Sequence, residues 1–299
     1  MTFKTPVALF IYKRRHTTFK VFEQISKVKP EKLFIIGDGP KNVNEQETIY
    51  SIRSDIEKSV TWDCNLQLVY ADKNMGLANR VTTGLDEVFK KVDKLIILED
   101  DTHPDISFFY FCQEMLERYE NNNRIGHVSG CNHYETDLVV SYYFCSIANI
   151  WGWATWKRAW KYFDLKMLSW NEQNKKDFMK HWIGNRYQRN GMMKMFDLHY
   201  KNEDPWAWSY QWLYALYSNN LLSIVPCQNL VSNIGIGPNA TNTRSDIHIE
   251  NYPPVKPNNK SSIIHPRFER NKDFENYYYN KLQPSISRRI KNSLKSFLK

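Results

Sequence analysis

Residues 93–101 read D-K-L-I-I-L-E-D-D, a short apolar run that ends in three consecutive carboxylates. The run is too short for a helix and bounded by charge on both sides. It predicts a strand buried on both faces, with Glu99, Asp100 and Asp101 at its carboxyl end. The same pattern recurs toward the amino terminus in PVALFIY (6–12), KLFIIGDGP (32–40) and LQLVYAD (66–72). Helical spacing fills the intervals, through Phe19, Phe22 and Ile25, then near 43–59, then near 77–91 with Leu85, Val88 and Phe89. Short apolar strands alternating with helices predict β-α-β units and a mostly parallel sheet. In such sheets ligands bind beyond the carboxyl ends of the strands. The polar residues at those ends are Arg14, Asp38, Asp72 and the triplet Glu99-Asp100-Asp101.

Three adjacent carboxylates repel one another unless a cation or hydrogen-bond donors compensate. Mg²⁺ and Mn²⁺ prefer carboxylate oxygens and commonly share them with substrate phosphates. An isolated E-D-D also makes a solvated acidic turn, and the position after a fourth β-α strand favours the metal–diphosphate reading. Asp38 in FIIGDGP could accept hydrogen bonds from a base edge, and Asp-Gly-Pro is also a turn in its own right. NMGLANR places Asn74, Gly76 and Arg80 at a helix entrance, a natural phosphate-side position.

The succession PVALFIYKRRH, KLFIIGDGPK, NMGLANRVTTGLDEVF, KLIILEDDTHPDISFFYF, GWATW and NLVSNIGIG resembles the GT-A-fold glycosyltransferases over roughly residues 6–245. The nearest likeness is the branch related to N-acetylglucosaminyltransferase I, which includes many bacterial polysaccharide transferases. The resemblance implies an α/β nucleotide-diphospho-sugar transferase fold with a helical C-terminal half. It makes E-D-D the counterpart of a D-x-D motif, with Asp101 on the metal, Asp100 on the ribose and Glu99 on the donor sugar. It also implies Asp38 on the base and Arg14 and Arg80 near the nucleotide and its phosphates; Asn74, at the helix entrance, is expected among the cofactor-binding residues.

In IWGWATWKRAW (150–160), the resemblance suggests that Trp151 and Trp153 line the sugar site with their apolar faces. Trp156 and Trp160, four apart, read as core. An inverting transfer needs a carboxylate to take the acceptor hydroxyl's proton. NEDPWAWSYQW (202–212) supplies Asp204 for that role, helped by Glu203, although related sequences often carry Asp where this chain has Ser209. Asp204-Pro205 also reads as a helix start. Further helices are expected near 172–183, 187–200 and 207–219.

Composition narrows the remaining classes. The 299 residues are 42% hydrophobic and 24% charged, which excludes disorder and collagen-like structure for the bulk of the chain. No run approaches the roughly 18 apolar residues of a membrane span. Five widely spaced cysteines without a C-x-x-C pair argue against zinc ribbons and disulfide frameworks. The expected compartment is the reducing cytoplasm. Net charge is +9, but five of the 41 basic residues lie in 285–299 with no acid beside them. The remaining body carries 36 basic and 32 acidic residues, too balanced for a nucleic-acid groove. The tail SISRRIKNSLKSFLK aligns Ile286, Ile290, Leu294, Phe297 and Leu298 on one helical face, as an interfacial helix on anionic lipid would.

The expected organisation is a nucleotide-sugar-binding half (1–130), an acceptor half of the same domain (131–250), an extended wrap (251–284) and the basic tail (285–299). The expected activity is a Mn²⁺- or Mg²⁺-dependent transfer of sugar from a nucleotide diphosphate donor. The acceptor is a glycan or lipid-linked oligosaccharide at the inner membrane face. A sugar-1-phosphate nucleotidyltransferase is the enzyme alternative, although the first strand-to-helix turn contains no glycine. A non-catalytic glycan-binding protein is the other.

Overall fold

In the computed structural model, residues 3–133, 139–200, 202, 205–235, 255 and 263–281 are described. The four strands read from sequence are β1 (Val7–Ile11), β2 (Lys32–Gly37), β3 (Asn65–Tyr70) and β4 (Lys94–Glu99). Between them run α1 (Arg15–Val28), α2 (Val43–Ser59) and α3 (Leu77–Val88). Every residue of β1 is buried, and its side chains alternate between two cores. Val7, Leu9 and Ile11 join one; Ala8 and Phe10 join the other.

The chain continues through β5 (Thr102–Pro104), α4 (Ile106–Arg118), β6 (Ile125–Ser129), β7 (Tyr142–Cys145), β8 (Trp153–Trp156) and α5 (Lys157–Trp160). A 3-10 turn at Leu168–Glu172 leads to α6 (Lys175–Trp182), α7 (Arg186–Tyr200) and α8 (Ser209–Ser218). Then follow β9 (Leu222–Pro226), β10 (Val231–Asn233) and α9 (Lys272–Lys281). The eight-stranded sheet has the order β3-β2-β1-β4-β8-β6-β9-β7. Only β7 and β8 run against the common direction of the others. This is the α/β architecture expected from the sequence, with helices on both faces.

Parallel register aligns the strand ends. Ile11 lies opposite Gly37, Gly37 opposite Tyr70, and Phe10 opposite Glu99, so the polar residues that follow each strand share one edge. A separate antiparallel pair sets Asn233 of β10 against Thr102 of β5, which brings 231–235 beside the acidic triplet.

The sheet has two different margins. On β3 the side chains are mostly half-buried or exposed; on β7 they are all buried. The cover over β7 is the C-terminal segment. Asn271 N donates to Phe144 O, Ser141 N donates to Ile264 O, and α9 packs Phe274, Tyr278 and Tyr279 into the core. A wholly extended wrap over 251–284 is therefore corrected: 272–281 is a helix. Asn271 caps it by accepting from Phe274 N (2.8 Å), with Asp273 and Glu275 in the first turn. The buried Glu275 also accepts from Ser146 N (2.6 Å) and pairs with Arg270 (2.8 Å).

Candidate active site

Asp38 follows β2 directly and is 8% exposed. Its Oδ1 accepts from Gly39 N (2.9 Å) and Met75 N (2.9 Å). Its Oδ2 accepts from Asn74 Nδ2 (2.9 Å) and Gly76 N (3.1 Å). An ionised carboxylate offers about four lone-pair positions, so these donors fill it. Asp38 therefore fastens the β3–α3 loop to the end of β2. Direct contact with a base would require one of the four bonds to be displaced. Gly39 permits the close approach, since a β-carbon there would lie 2.4 Å from the Lys73 carbonyl carbon.

Asn74, expected in the donor site, also donates to Gly39 O (3.0 Å) and to the Tyr12 hydroxyl (3.3 Å). That hydroxyl in turn donates to Glu45 at the start of α2. Glu45 accepts from Lys13 Nζ (2.7 Å) and Lys41 N (3.1 Å) as well, and these donors lower its pKa to about 2. Thus β1, β2, α2 and the β3–α3 loop are tied into one polar rim.

Beside this rim lies the acidic triplet. Arg14, in the turn before α1, spans two of its members. Nε donates to Asp100 Oδ2 (3.3 Å), Nη2 pairs with Asp100 Oδ1, and Nη1 reaches Asp101 Oδ2 (2.8 Å). Burial pushes Asp100 up to about 6 while Arg14 pulls it down. Glu99 is pushed up to about 8 by burial and by the charges of Asp101 and Asp100. The loop after β10 closes the far side: Ile234 N donates to Asp101 O (2.8 Å). A β-carbon on Gly235 would come within 2.4 Å of Asp101 Oδ2 and 2.7 Å of Arg14 Nη1.

Two expected placements are corrected. Arg80 is 5% exposed and lies under α3, donating to Val69 O (2.8 Å) and Thr83 Oγ1 (3.3 Å) rather than facing a phosphate position. Its neighbours explain this: Val81, Gly84 and Leu85 form the buried face of the helix. Trp153 is fully buried, with one face stacked on His127 (5.3 Å) and Trp208 at 5.3 Å. β8 sits inside the sheet between β4 and β6, so its indole is core and offers no sugar platform. Trp156 and Trp160 are buried, as read from their spacing. Trp212 Nε1 donates to His127 Nδ1 (3.1 Å), which leaves Nε2 to donate to Asn149 O (3.0 Å). Burial drops that histidine to about 3, so it stays neutral.

Asp204, Glu203 and the tail 285–299 lie outside the described residues. Near the former pair, Trp206 is half exposed and flanks the ring of the buried His199 at 4.9 Å.

Several site residues were not singled out from sequence, yet some carried a signal. Arg53 donates from Nη2 to Asp38 O (3.0 Å) and Ala71 O (3.0 Å), buttressing the rim from beneath. Ile49, Ile52 and Ile56 already marked its helical stripe as buried. Tyr12 ends the first apolar run with a polar tip. Gly235 lies in the NLVSNIGIG block, but only the β5–β10 pairing brings it to Asp101.

Among the described residues, no group of three or more His, Cys, Asp or Glu side chains is arranged to hold a metal ion. Both Asp100 oxygens are engaged by Arg14, and Glu99 is held largely protonated near neutral pH. Asp101 is thus the carboxylate suited to a hard cation that takes its other ligands from phosphate and water. The donor set fits such a shared ion; it does not form a protein-only cage.

No protein-family profile matches the chain, and no curated protein sequence does. Solved structures resemble parts of it at low identity. A mannosyltransferase from Pyrobaculum calidifontis, in complex with GDP-Man and Mn²⁺, is 15% identical with a TM-score of 0.41. It covers 54% of this chain and 46% of its own. TarS residues 1–349 of S. aureus is 10% identical with a TM-score of 0.42, covering 76% and 59%. A 4-diphosphocytidyl-2C-methyl-D-erythritol synthase from Anaerococcus prevotii is 11% identical with a TM-score of 0.35, covering 53% and 73%. The chain therefore spans between about half and three quarters of these structures. At such scores the likenesses decide nothing about chemistry, and the functional reading rests on the residues.

Proposed function

We propose that the chain is a GT-A-type glycosyltransferase that moves a sugar from a nucleotide diphosphate donor, UDP-linked, to a glycan or lipid-linked acceptor. One observation carries this reading: the Asp38-anchored rim, Arg14 and the acidic triplet meet on a single edge of a β-α-β sheet. A nucleotide needs a shaped, polar slot for its base and ribose, and positive charge for its diphosphate. The rim supplies the first and Arg14 the second. Their order along the chain is the one the sequence resemblance implies.

In this reading the loop 73–76 and Tyr12 border the base, with Asp38 acting chiefly as the anchor that shapes the slot. Asp100 and Glu99 orient the ribose and donor sugar, and the protonated Glu99 can donate to a sugar oxygen. Asp101 would hold Mg²⁺ or Mn²⁺, which supplies charge stabilisation to the departing diphosphate. Asp204, assisted by Glu203, takes the acceptor proton, so transfer proceeds with inversion. Among the described residues no helix is long and apolar enough to cross a membrane. The basic amphipathic tail is proposed to hold the enzyme on the inner membrane face, within reach of a lipid-linked acceptor.

Release of nucleoside diphosphate from a panel of nucleotide sugars, with and without Mn²⁺, tests the assignment. Asp101→Ala should abolish metal-dependent turnover, and full retention would sink the metal role. Asp204→Asn should bind donor yet lose transfer; unchanged transfer would move the base elsewhere. Flotation with anionic vesicles should fail after deletion of 285–299.

A further inference from the structure

Adjacent carboxylates at a strand end demand a neighbouring cation, and here the chain provides its own. The Arg14 fork engages both oxygens of Asp100 and Oδ2 of Asp101. The two aspartate side chains are 6% and 14% exposed, while the arginine side chain is 29% exposed. A divalent ion drawn toward this pair would meet a full positive charge already seated between them.

The backbone of Arg14 is fixed, and its side chain is more exposed than those of the two aspartates it pairs with. Its carbonyl accepts from Thr18 N (3.0 Å) and Thr18 Oγ1 (2.7 Å), pinning the residue at the entry to α1. An arginine binds phosphate in the same bidentate manner as carboxylate. Moving from the aspartates to a diphosphate therefore replaces one charge-assisted fork by another and leaves no guanidinium proton unpaired.

We propose that Arg14 is an exchangeable counterion. Without nucleotide it occupies Asp100 and Asp101 and screens them from divalent cations; a diphosphate draws it away and opens Asp101. The screening step stands on the ion pairs alone, whereas the exchange step rests on the nucleotide reading above.

Titration of the full chain with Mn²⁺ alone, followed by the electron paramagnetic resonance signal of the free ion, tests the screen. Wild type should bind Mn²⁺ weakly, and Arg14→Met at least about tenfold more tightly. Adding Asp101→Asn to that variant should remove the gain. Arg14→Lys keeps the charge without the fork, should gain a smaller factor, and serves if the methionine variant does not fold. Equal Mn²⁺ affinity in wild type and the folded variants would overturn the screen, as would a gain that survives Asp101→Asn. Inorganic pyrophosphate in EDTA probes the exchange by calorimetry. It should bind wild type and lose at least about tenfold in Arg14→Met. Unchanged binding there, or none to wild type, would overturn the exchange, while the Mn²⁺ result would still judge the screen separately.

Discussion

The polar edge around Asp38 and Asp101 and the aromatic layer around Trp153 both drew attention in the sequence, but they are made of opposite materials. At the edge, carboxylates, an amide, a phenol and a guanidinium satisfy one another and the backbone. In the layer, Trp153, Trp160, Trp208 and Trp212 stack with His127 and Phe163 at ring separations of 4.3–6.5 Å, and little of them reaches solvent. The tryptophans of this layer are thus core, and the recognition proposed above falls to the polar edge. Chemical suitability for binding sugar is common to both regions; position in the sheet separates them.

Trp153→Ala cuts deepest. It removes a fully buried indole, with an expected loss of about 3–5 kcal/mol in stability. The comparison turns on Trp153→Phe, which keeps much of the packing. Chemical denaturation should show a smaller loss, and donor KM should stay within about threefold of wild type. A large rise in donor KM with stability intact would put Trp153 back in the sugar site.

Asp38→Ala comes next. It strands four donors around a nearly buried position, with an expected cost on the order of 2–4 kcal/mol. Because the loop 73–76 loses its anchor, nucleotide binding should disappear even under conditions where the protein remains folded. Calorimetry on the folded variant decides between anchor and ornament: undiminished nucleotide affinity would show that the rim does not depend on Asp38.

The parallel half was legible because each strand announces itself twice, by an apolar run and by the polar residue that ends it. Asp38, Arg14 and Glu99–Asp101 could be placed on one edge without coordinates, since parallel strands share their carboxyl ends. The aromatic half misled because periodicity cannot tell a buried strand from an exposed platform. Trp153 required the knowledge that β8 inserts between β4 and β6, a pairing between residues far apart in sequence. Arg80 differs for another reason: its charge suggests a phosphate, but it lies on a helical stripe with Val81, Gly84 and Leu85 that is buried. The helix at 272–281 has a readable start in Asn271, Asp273 and Glu275, within a stretch whose prolines and polar residues otherwise suggest an extended wrap.

Gly235→Ala sharpens the edge rather than the layer. The added β-carbon would crowd Asp101 and Arg14 at 2.4 and 2.7 Å, so one of them must move. The expected result is at least about a tenfold loss of donor affinity with a stability change under about 1.5 kcal/mol, separable by calorimetry and thermal melting. A donor affinity equal to wild type would show that the loop after β10 does not help to position the acidic triplet.

The smallest effect is a slope. In EDTA and without nucleotide, Glu99 holds its proton up to about pH 8 and Asp100 up to about 6, above the ordinary values of 4.5 and 3.8. The folded chain keeps protons that the unfolded chain has released, so this stabilisation is complete below the unfolded values and is lost as pH rises through the folded ones. Other groups obscure the lower part of that window. His127 and His133 are depressed by burial to about 3 and about 4, so their contribution rises with pH up to about 6.5. The depressed pKa of Glu45 matters only in acid, below about 4.5. Between about pH 7 and 8 the thiols of Cys64, Cys112, Cys131 and Cys145, raised by burial, begin to add a loss of the same sign. The Glu99 part is therefore read as the difference from Glu99→Gln. Urea unfolding should show wild type losing stability across that interval, and Glu99→Gln losing less. Parallel slopes for the two proteins would mean that the Glu99 carboxyl is already ionised at pH 7. The edge would then carry one more negative charge than Arg14 is placed to balance.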